Sequence, residues 1–175
     1  MFNFSIFWEK ILFIYILRHG IAVQRGTAGF LNDDRPLTDD GKEKMRKGAR
    51  GIATIIGTID VILTSPLIRA HDTAKIAADA LGADHKIEVC KELLPGSLAK
   101  KLMVYLAKYK NMDHVMIVGH EPDLGFLASA LLGSDQSIIE FKKGALCCIE
   151  VSSMPPRGAG RLHWHLQPKQ LRELK

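Results

Sequence analysis

Cysteine is scarce in this chain. Only Cys90, Cys147 and Cys148 occur among 175 residues, and no two of them have the Cys-x-x-Cys spacing of a redox or metal motif. The adjacent pair Cys147 and Cys148 would point to opposite faces of a strand, which disfavours a bridge between them. So few thiols without a pairing pattern exclude a disulfide-stapled secreted scaffold and fit a reducing, cytoplasmic compartment. Long apolar runs are missing too, with nothing near the ~18 uninterrupted apolar residues of a membrane-spanning helix. The net charge of +5 and isoelectric point near 9.2 come without any long lysine and arginine run. The cations therefore read as scattered solvated side chains, with attraction of anionic substrates as the alternative. No nucleic-acid motif accompanies them. None of the seven histidines forms a His-x-x-x-His pair on a helix, and no convergent carboxylates join them, so neither a metal nor a cofactor is expected. Repeats, low-complexity tracts and interdomain linkers are absent, which leaves a single domain able to bury a sizeable core.

What is present is concentrated at strand ends. The apolar run Ile11 to Leu17, rich in isoleucine and aromatics, reads as a strand buried on both faces, and Arg18-His19-Gly20 follows it at once. In open α/β sheets the carboxyl edge of the strands is where ligands bind. An imidazole can attack phosphorus while a neighbouring guanidinium neutralises phosphoryl oxygens, and glycine permits a sharp turn and close approach. The same logic recurs. Val61-Ile62-Leu63 is a short strand followed by Thr64-Ser65-Pro66-Leu67-Ile68-Arg69-Ala70, where Ser65 reads as a helix cap and Arg69 as projecting from the first turn. Val115 to Val118 is a further strand, followed by Gly119-His120-Glu121-Pro122-Asp123. Arg35-Pro36-Leu37-Thr38 leads into a helix at Asp39. Arg18, His19, Arg69 and His120 thus all fall on one edge of an expected parallel sheet.

These four blocks, in this order and spacing, resemble the histidine phosphatase superfamily and, within it, the small SixA-type phosphohistidine phosphatases. The resemblance covers about residues 11 to 168. It implies a phosphoglycerate mutase-like fold and a phosphatase in which the first histidine, His19, is phosphorylated. It further implies that Arg18, Arg69 and His120 bind the phosphate.

The rest of the chain reads as alternating strands and helices. Helices are expected from Thr38 to Ile56, from Leu67 to Leu81, over Leu98 to Tyr109 and from Leu124 to Leu132. A brief strand is expected at Ile87 to Val89, and the last two at Ala145 to Val151 and Leu162 to Leu166, separated by a proline- and glycine-bearing loop. The fold class is α/β: a three-layer α/β/α arrangement, mostly parallel, with antiparallel strands at the C-terminal side. Residues 1 to 10, aromatic but lacking a basic leader or cleavage site, read as an extension, and 11 to 175 as the single domain. Pro168 opens a short basic tail, expected to be helical.

Other residues carry two readings each. Arg35 either contacts substrate or merely pairs with Asp33 or Asp34. An alkoxide leaving group needs a general acid whereas an imidazole needs far less help. In relatives acting on sugar or glycerate phosphates a carboxylate after the third strand fills that role, and Glu92 occupies a comparable place; otherwise it is an exposed loop carboxylate. Asp123 is a second candidate acid, or an N-cap. His71, His114, His163 and His165 look incidental. The loops between Ile21 and Leu37 and around Glu92 are short, an open setting that favours phosphohistidine on a protein over a small phosphorylated metabolite. A phosphomonoesterase or mutase for metabolites is the alternative, and a non-catalytic phosphate-binding module a third. Two arginines can supply the charge a metal supplies elsewhere. Exhaustive dialysis against EDTA is therefore expected to leave turnover intact; loss of activity restored by one divalent ion would contradict it.

Overall fold

The computed structural model describes residues 11–30 and 33–175; the proposed extension, residues 1 to 10, lies outside them. Six strands form one sheet, β1 (Leu12–Arg18), β2 (Val61–Thr64), β3 (Ile87–Val89), β4 (His114–Gly119), β5 (Leu146–Val151) and β6 (Arg161–Leu166), in the order β3-β2-β4-β1-β5-β6. The first four strands in that order run parallel, whereas β5 lies antiparallel to β1 and β6 antiparallel to β5. The mixed α/β sheet expected from the sequence is the one observed. Among the described residues no helix is long and apolar enough to cross a membrane.

Alternation along the central strands feeds two separate cores. Tyr15, Leu17, Ile62, Met116, Val118 and Cys148 face α1 (Asp39–Ile55), α2 (Ile68–Leu81) and α5 (Pro168–Glu173). Ile14, Ile16, Leu63, Ile117, Cys147 and Ile149 face α3 (Ala99–Leu106) and α4 (Asp123–Leu131). Cys147 and Cys148 thus sit in different cores, as strand geometry requires. Strands buried on both faces need continuous apolar sequence, and β1 and β4 supply it.

The helices follow from local chemistry. Thr38 caps α1 through its Oγ1, which accepts the Gly41 N–H at 2.9 Å, and Asp39 and Asp40 in the first turn suit the positive helix end. Met45, Ala49 and Ile52 are buried along one face. A Cβ at Gly41 would stand 2.0 Å from the Ile21 carbonyl oxygen, so only glycine lets the loop after His19 lie on this turn. The second helix differs from expectation at its start. Its N-cap is Leu67, without a side-chain cap, because the Ser65 hydroxyl lies two residues upstream and is engaged with His120. The third helix begins at Ala99 and leaves Leu98 exposed in the capping position, while Leu102 and Leu106 enter the core.

The C-terminal tail is an integral element. Gln167 and Gln170 form a reciprocal capping box, Pro168 takes the first turn, and Leu171 is completely buried against α1. Close packing there depends on Gly51, where an added Cβ would lie 1.8 Å from the Leu171 carbonyl oxygen. Gly51→Ala is expected to push α5 off α1 and destabilise the fold by about 1–3 kcal/mol, the usual range for overpacking. Denaturant unfolding measures it, and an unchanged midpoint would show that the helices are not in this close contact.

Candidate active site

Register places the two histidines. In the parallel pair β1–β4, Arg18 stands opposite Gly119, so the next residues leave the sheet side by side. His19 N–H donates to the Gly119 carbonyl at 3.1 Å, and the His19 and His120 rings lie 5.1 Å apart between centroids. β2 is the other neighbour of β4, and the Ser65 N–H bonds to the Val118 carbonyl at 3.0 Å. Ser65 therefore emerges beside His120, and Arg69 rises from the first turn of α2 above them.

His19 is held as a neutral imidazole. Its Nδ1 lies 2.7 Å from the Gly20 carbonyl oxygen, which can only accept, so Nδ1 carries the proton and Nε2 keeps its lone pair. Burial is the main force lowering its pKa, to about 3, and the proximity of His120, Arg69 and Arg18 adds to it against the opposing pull of the Gly20 carbonyl. The Gly20 N–H donates to Thr73 Oγ1 at 3.0 Å, and that hydroxyl donates to the Arg69 carbonyl at 2.7 Å. The backbone just after His19 and Arg69 are thus tied together through α2.

His120 is equally buried, with Nε2 2.8 Å from Ser65 Oγ. Burial, then Arg69, lowers its pKa to about 3 as well. Among the described residues its Nδ1 is buried without a hydrogen-bond partner, as are Nε of Arg18 and Nε of Arg69. Buried polar atoms are nearly always partnered, so three orphaned nitrogens within one cluster mark a place with hydrogen-bonding capacity to spare.

The two guanidinium groups are braced differently. Arg18 donates from Nη1 to the Phe141 carbonyl. The segment carrying that carbonyl is held by Glu121, whose Oε1 accepts the Phe141 N–H at 2.6 Å and whose Oε2 accepts the Gly125 N–H at 3.3 Å. Burial raises the Glu121 pKa above the usual carboxylate range, against those two amides and the nearby Arg18. Arg69, only 2% exposed, donates from Nη1 to the Asp33 carbonyl and from Nη2 to Asp33 Oδ2, both at 2.8 Å. Arg35 grips the other oxygen of the same carboxylate, with Nε and Nη2 each 2.8 Å from Oδ1, and donates to the Val23 carbonyl. Asp33 adopts a left-handed backbone conformation, with φ 63°, to reach both arginines. Partial burial opposes ionisation, yet the hydrogen bonds from Arg35 and Arg69 hold this carboxyl below its ordinary value.

The structure brings four of the sequence-derived residues together, Arg18, His19, Arg69 and His120, and attaches Arg35 to them through Asp33. It does not bring Glu92 to the cluster. Glu92 lies on the 3₁₀ turn Lys91–Leu93, accepts the Cys90 thiol at 3.4 Å, and borders a surface depression with Leu98, Lys101, Val104 and Tyr105 of the α3 region. Asp123 is the first residue of α4 rather than its N-cap, and its carboxylate accepts the Gly96 N–H at 2.8 Å. Sequence reasoning missed Ser65 as a partner of His120, Asp33 as a partner of Arg69, and Glu121 and Thr73 as braces. A polar residue at the end of β2 was the only local signal for Ser65. The other three act across gaps of 20 to 53 residues that only the tertiary fold closes. No group of three or more histidine, cysteine, aspartate or glutamate side chains that could hold a metal ion occurs among the described residues.

The model of the histidine phosphatase superfamily (branch 1) matches residues 14–94. An uncharacterized protein of Picosynechococcus is 32% identical over 156 residues, covering 87% of this chain and 89% of that protein. The phosphohistidine phosphatase SixA of Escherichia coli is 26% identical, covering 93% of this chain and 98% of its own. The SixA homolog of Haemophilus influenzae is 30% identical, covering 71% of this chain and 80% of its own. A solved structure of the protein histidine phosphatase SixA complexed with tungstate superposes with a TM-score of 0.80 at 26% identity, over 91% of this chain and 99% of that one. An Escherichia coli α-ribazole-5'-phosphate phosphatase structure shares the fold, with a TM-score of 0.71 at 16% identity over 90% and 98% of the two chains.

The buried imidazoles set a pH dependence. Both have folded pKa values near 3, below the 6.5 of an unfolded histidine, so between those values the unfolded chain binds more protons. Stability is therefore complete above pH ~6.5 and falls as pH drops toward 3, by up to about 1.4 kcal/mol per pH unit for each histidine. Nitrogen-15 spectra at pH 5 are expected to show both rings neutral, and His120→Gln to flatten the acid limb of the stability curve. A ring titrating near pH 6.5 would contradict this electrostatic description.

Proposed function

We propose a two-step phosphoryl transfer for this chain, which belongs to the histidine phosphatase superfamily and is a phosphatase. In the first step the Nε2 lone pair of His19 attacks phosphorus in line. The P–N bond forms as the bond to the leaving group breaks, and the leaving group departs with its electron pair and takes a proton from solvent water. In the second step water attacks phosphorus, the P–Nε2 bond breaks, and inorganic phosphate leaves. The observation that carries this reading is the fixed tautomer of His19, with Nδ1–H spent on the Gly20 carbonyl and a neutral Nε2 beside two guanidinium groups. Arg18 and Arg69 hold the equatorial oxygens, where charge is spread in the transition state. The incoming phosphoryl group takes the place of Asp33 Oδ2 on Arg69, one anion replacing another on the same fork. His120, steadied by Ser65, completes the cradle.

The substrate favoured is phosphohistidine on a protein. Among the described residues three carboxylates act on the cluster's arginines: Asp33 on Arg69, and Glu121 and the exposed Glu140 on Arg18. Asp33 is kept ionised by Arg35 and Arg69, and both oxygens of Glu121 accept backbone amides. Glu92 is turned toward Cys90. A site whose half-buried carboxyls are already engaged in this way suits imidazole, which needs little protonation to depart, better than an alkoxide. The names of two relatives, phosphohistidine phosphatase SixA and its homolog, support the same substrate, and the tungstate held by SixA supports an oxyanion cradle. The likeness to the α-ribazole-5'-phosphate phosphatase keeps a small phosphomonoester as the second reading.

Turnover of a histidine-phosphorylated protein against a panel of alkyl phosphates tests both. The protein is expected to win by kcat/KM, and His19→Ala to abolish turnover together with an acid-labile, base-stable label on the enzyme. Arg69→Lys keeps the charge but loses the fork, and should cost about 10²-fold. Glu92→Gln should cost less than ~10-fold on phosphohistidine, far below the loss expected of a proton donor. A preference for an alkyl phosphate with a large Glu92→Gln defect would move the assignment to metabolite hydrolysis, and a fully active His19→Ala would end the proposal.

A further inference from the structure

Beside the nucleophile, between the loop that leaves β1 and helices α1 and α5, lies a cavity of about 390 Å³. Its border carries Arg18, Lys44 of α1, Lys142 and Lys143 of the turn before β5, and Arg172 of α5, with no carboxylate among its lining residues. Met45 and Pro168 supply an apolar part of the wall. Lys44 is partnered by Asp40 at 2.8 Å, whereas the ion pairs of the described residues include none with Lys142, Lys143 or Arg172. Lys142 and Lys143 are exposed, and Arg172 is half-buried. Lys142, Lys143 and Arg172, which have no ion pair among the described residues, lie beside the other two cations, and like charges so gathered repel one another, an arrangement that an anionic occupant relieves.

The basic turn is also fastened to the catalytic backbone. The Phe141 carbonyl, immediately before Lys142, receives the Arg18 guanidinium. Immediately after Lys143, the Gly144 N–H is shared between the carbonyls of Arg18 and His19, 3.1 Å from each. A protein large enough to cover His19 would therefore also cover this rim.

We propose that the cavity docks an acidic segment of the phosphorylated protein, carboxylates near the phosphohistidine pairing with Lys142, Lys143 and Arg172. This rests on the reading of the site as a protein phosphohistidine phosphatase. Cations on four segments, two of them flexible exposed lysines, match carboxylates spread along a chain, whereas a single small anion needs donors converging on one point. Rim charges of this kind act on encounter and on salt dependence rather than on the chemical step.

The test compares a histidine-phosphorylated phosphotransfer domain with phosphoramidate, a substrate too small to reach the rim. Lys142→Glu/Lys143→Glu and Lys143→Glu/Arg172→Glu are each expected to raise KM for the protein at least tenfold, leaving its kcat and the turnover of phosphoramidate unchanged. Retained phosphoramidate activity also shows that the variants are folded. Lys143→Arg should behave as wild type. Added salt should raise the wild-type KM for the protein alone, and a hexaglutamate peptide should compete with the protein and not with phosphoramidate. An unchanged KM in both double variants, or equal losses on both substrates, would overturn the docking site while leaving the phosphatase reading intact. A wild-type enzyme that turns over phosphoramidate but shows no preference for the phosphoprotein would overturn the substrate reading and the docking site together.

Discussion

The parallel pairing of β1 with β4 is the interaction on which the site depends. With Arg18 opposite Gly119, both strands end at the same level, and each is followed by a histidine. A shift of one residue would carry each side chain of β1 to the other face, exchanging the residues of the two cores and separating His19 from His120. The register is secured because the strands are apolar on both faces. Ile14 and Ile16 are committed to one core, Tyr15 and Leu17 to the other. Packing far from the chemistry thus sets the distance between the two imidazoles.

Electrostatics inside the cluster has to be balanced by the protein itself. Arg18 and Arg69 bring charge into a site where two imidazoles are nearly inaccessible to water. Burying a cation without a partner is costly, and a third and fourth positive charge would multiply the cost. The fold resolves this in two ways. The histidines stay neutral, which also leaves His19 nucleophilic, and Asp33 supplies a carboxylate to Arg69. Arg18 donates from Nη1 to a backbone carbonyl instead, in a segment held in place by Glu121. The same arrangement leaves two guanidinium groups held in place beside three buried nitrogens, Nε of Arg18, Nε of Arg69 and Nδ1 of His120, that have no hydrogen-bond partner among the described residues.

Glu92 and Ser65 show how far local reasoning reaches. Both stand just beyond a strand's carboxyl end, the place where functional residues are expected, and position alone does not separate them. Ser65 follows β2, a central strand next to β4, so its hydroxyl meets His120. Glu92 follows β3, the edge strand, where the chain turns toward α3 and the carboxylate meets Cys90. The difference lies in strand order, which no residue near either position encodes.

By itself the sequence determined the elements and the chemistry at their ends: two-sided apolar strands, a Thr38-capped helix, histidine immediately past β1 and β4, and Arg69 in the first turn of the helix that follows β2. These are local properties, set by periodicity, capping and adjacency over a few residues. Only the tertiary structure decided which ends meet and what each group bonds to. The 36-residue span from Asp33 to Arg69, the hold of the Phe141 segment on Arg18 and the docking of α5 on Gly51 are closed by packing between distant elements. The tautomer of His19 is local in sequence, since its partner is the next residue's carbonyl. Its neutrality is not, because burial is a property of the whole fold.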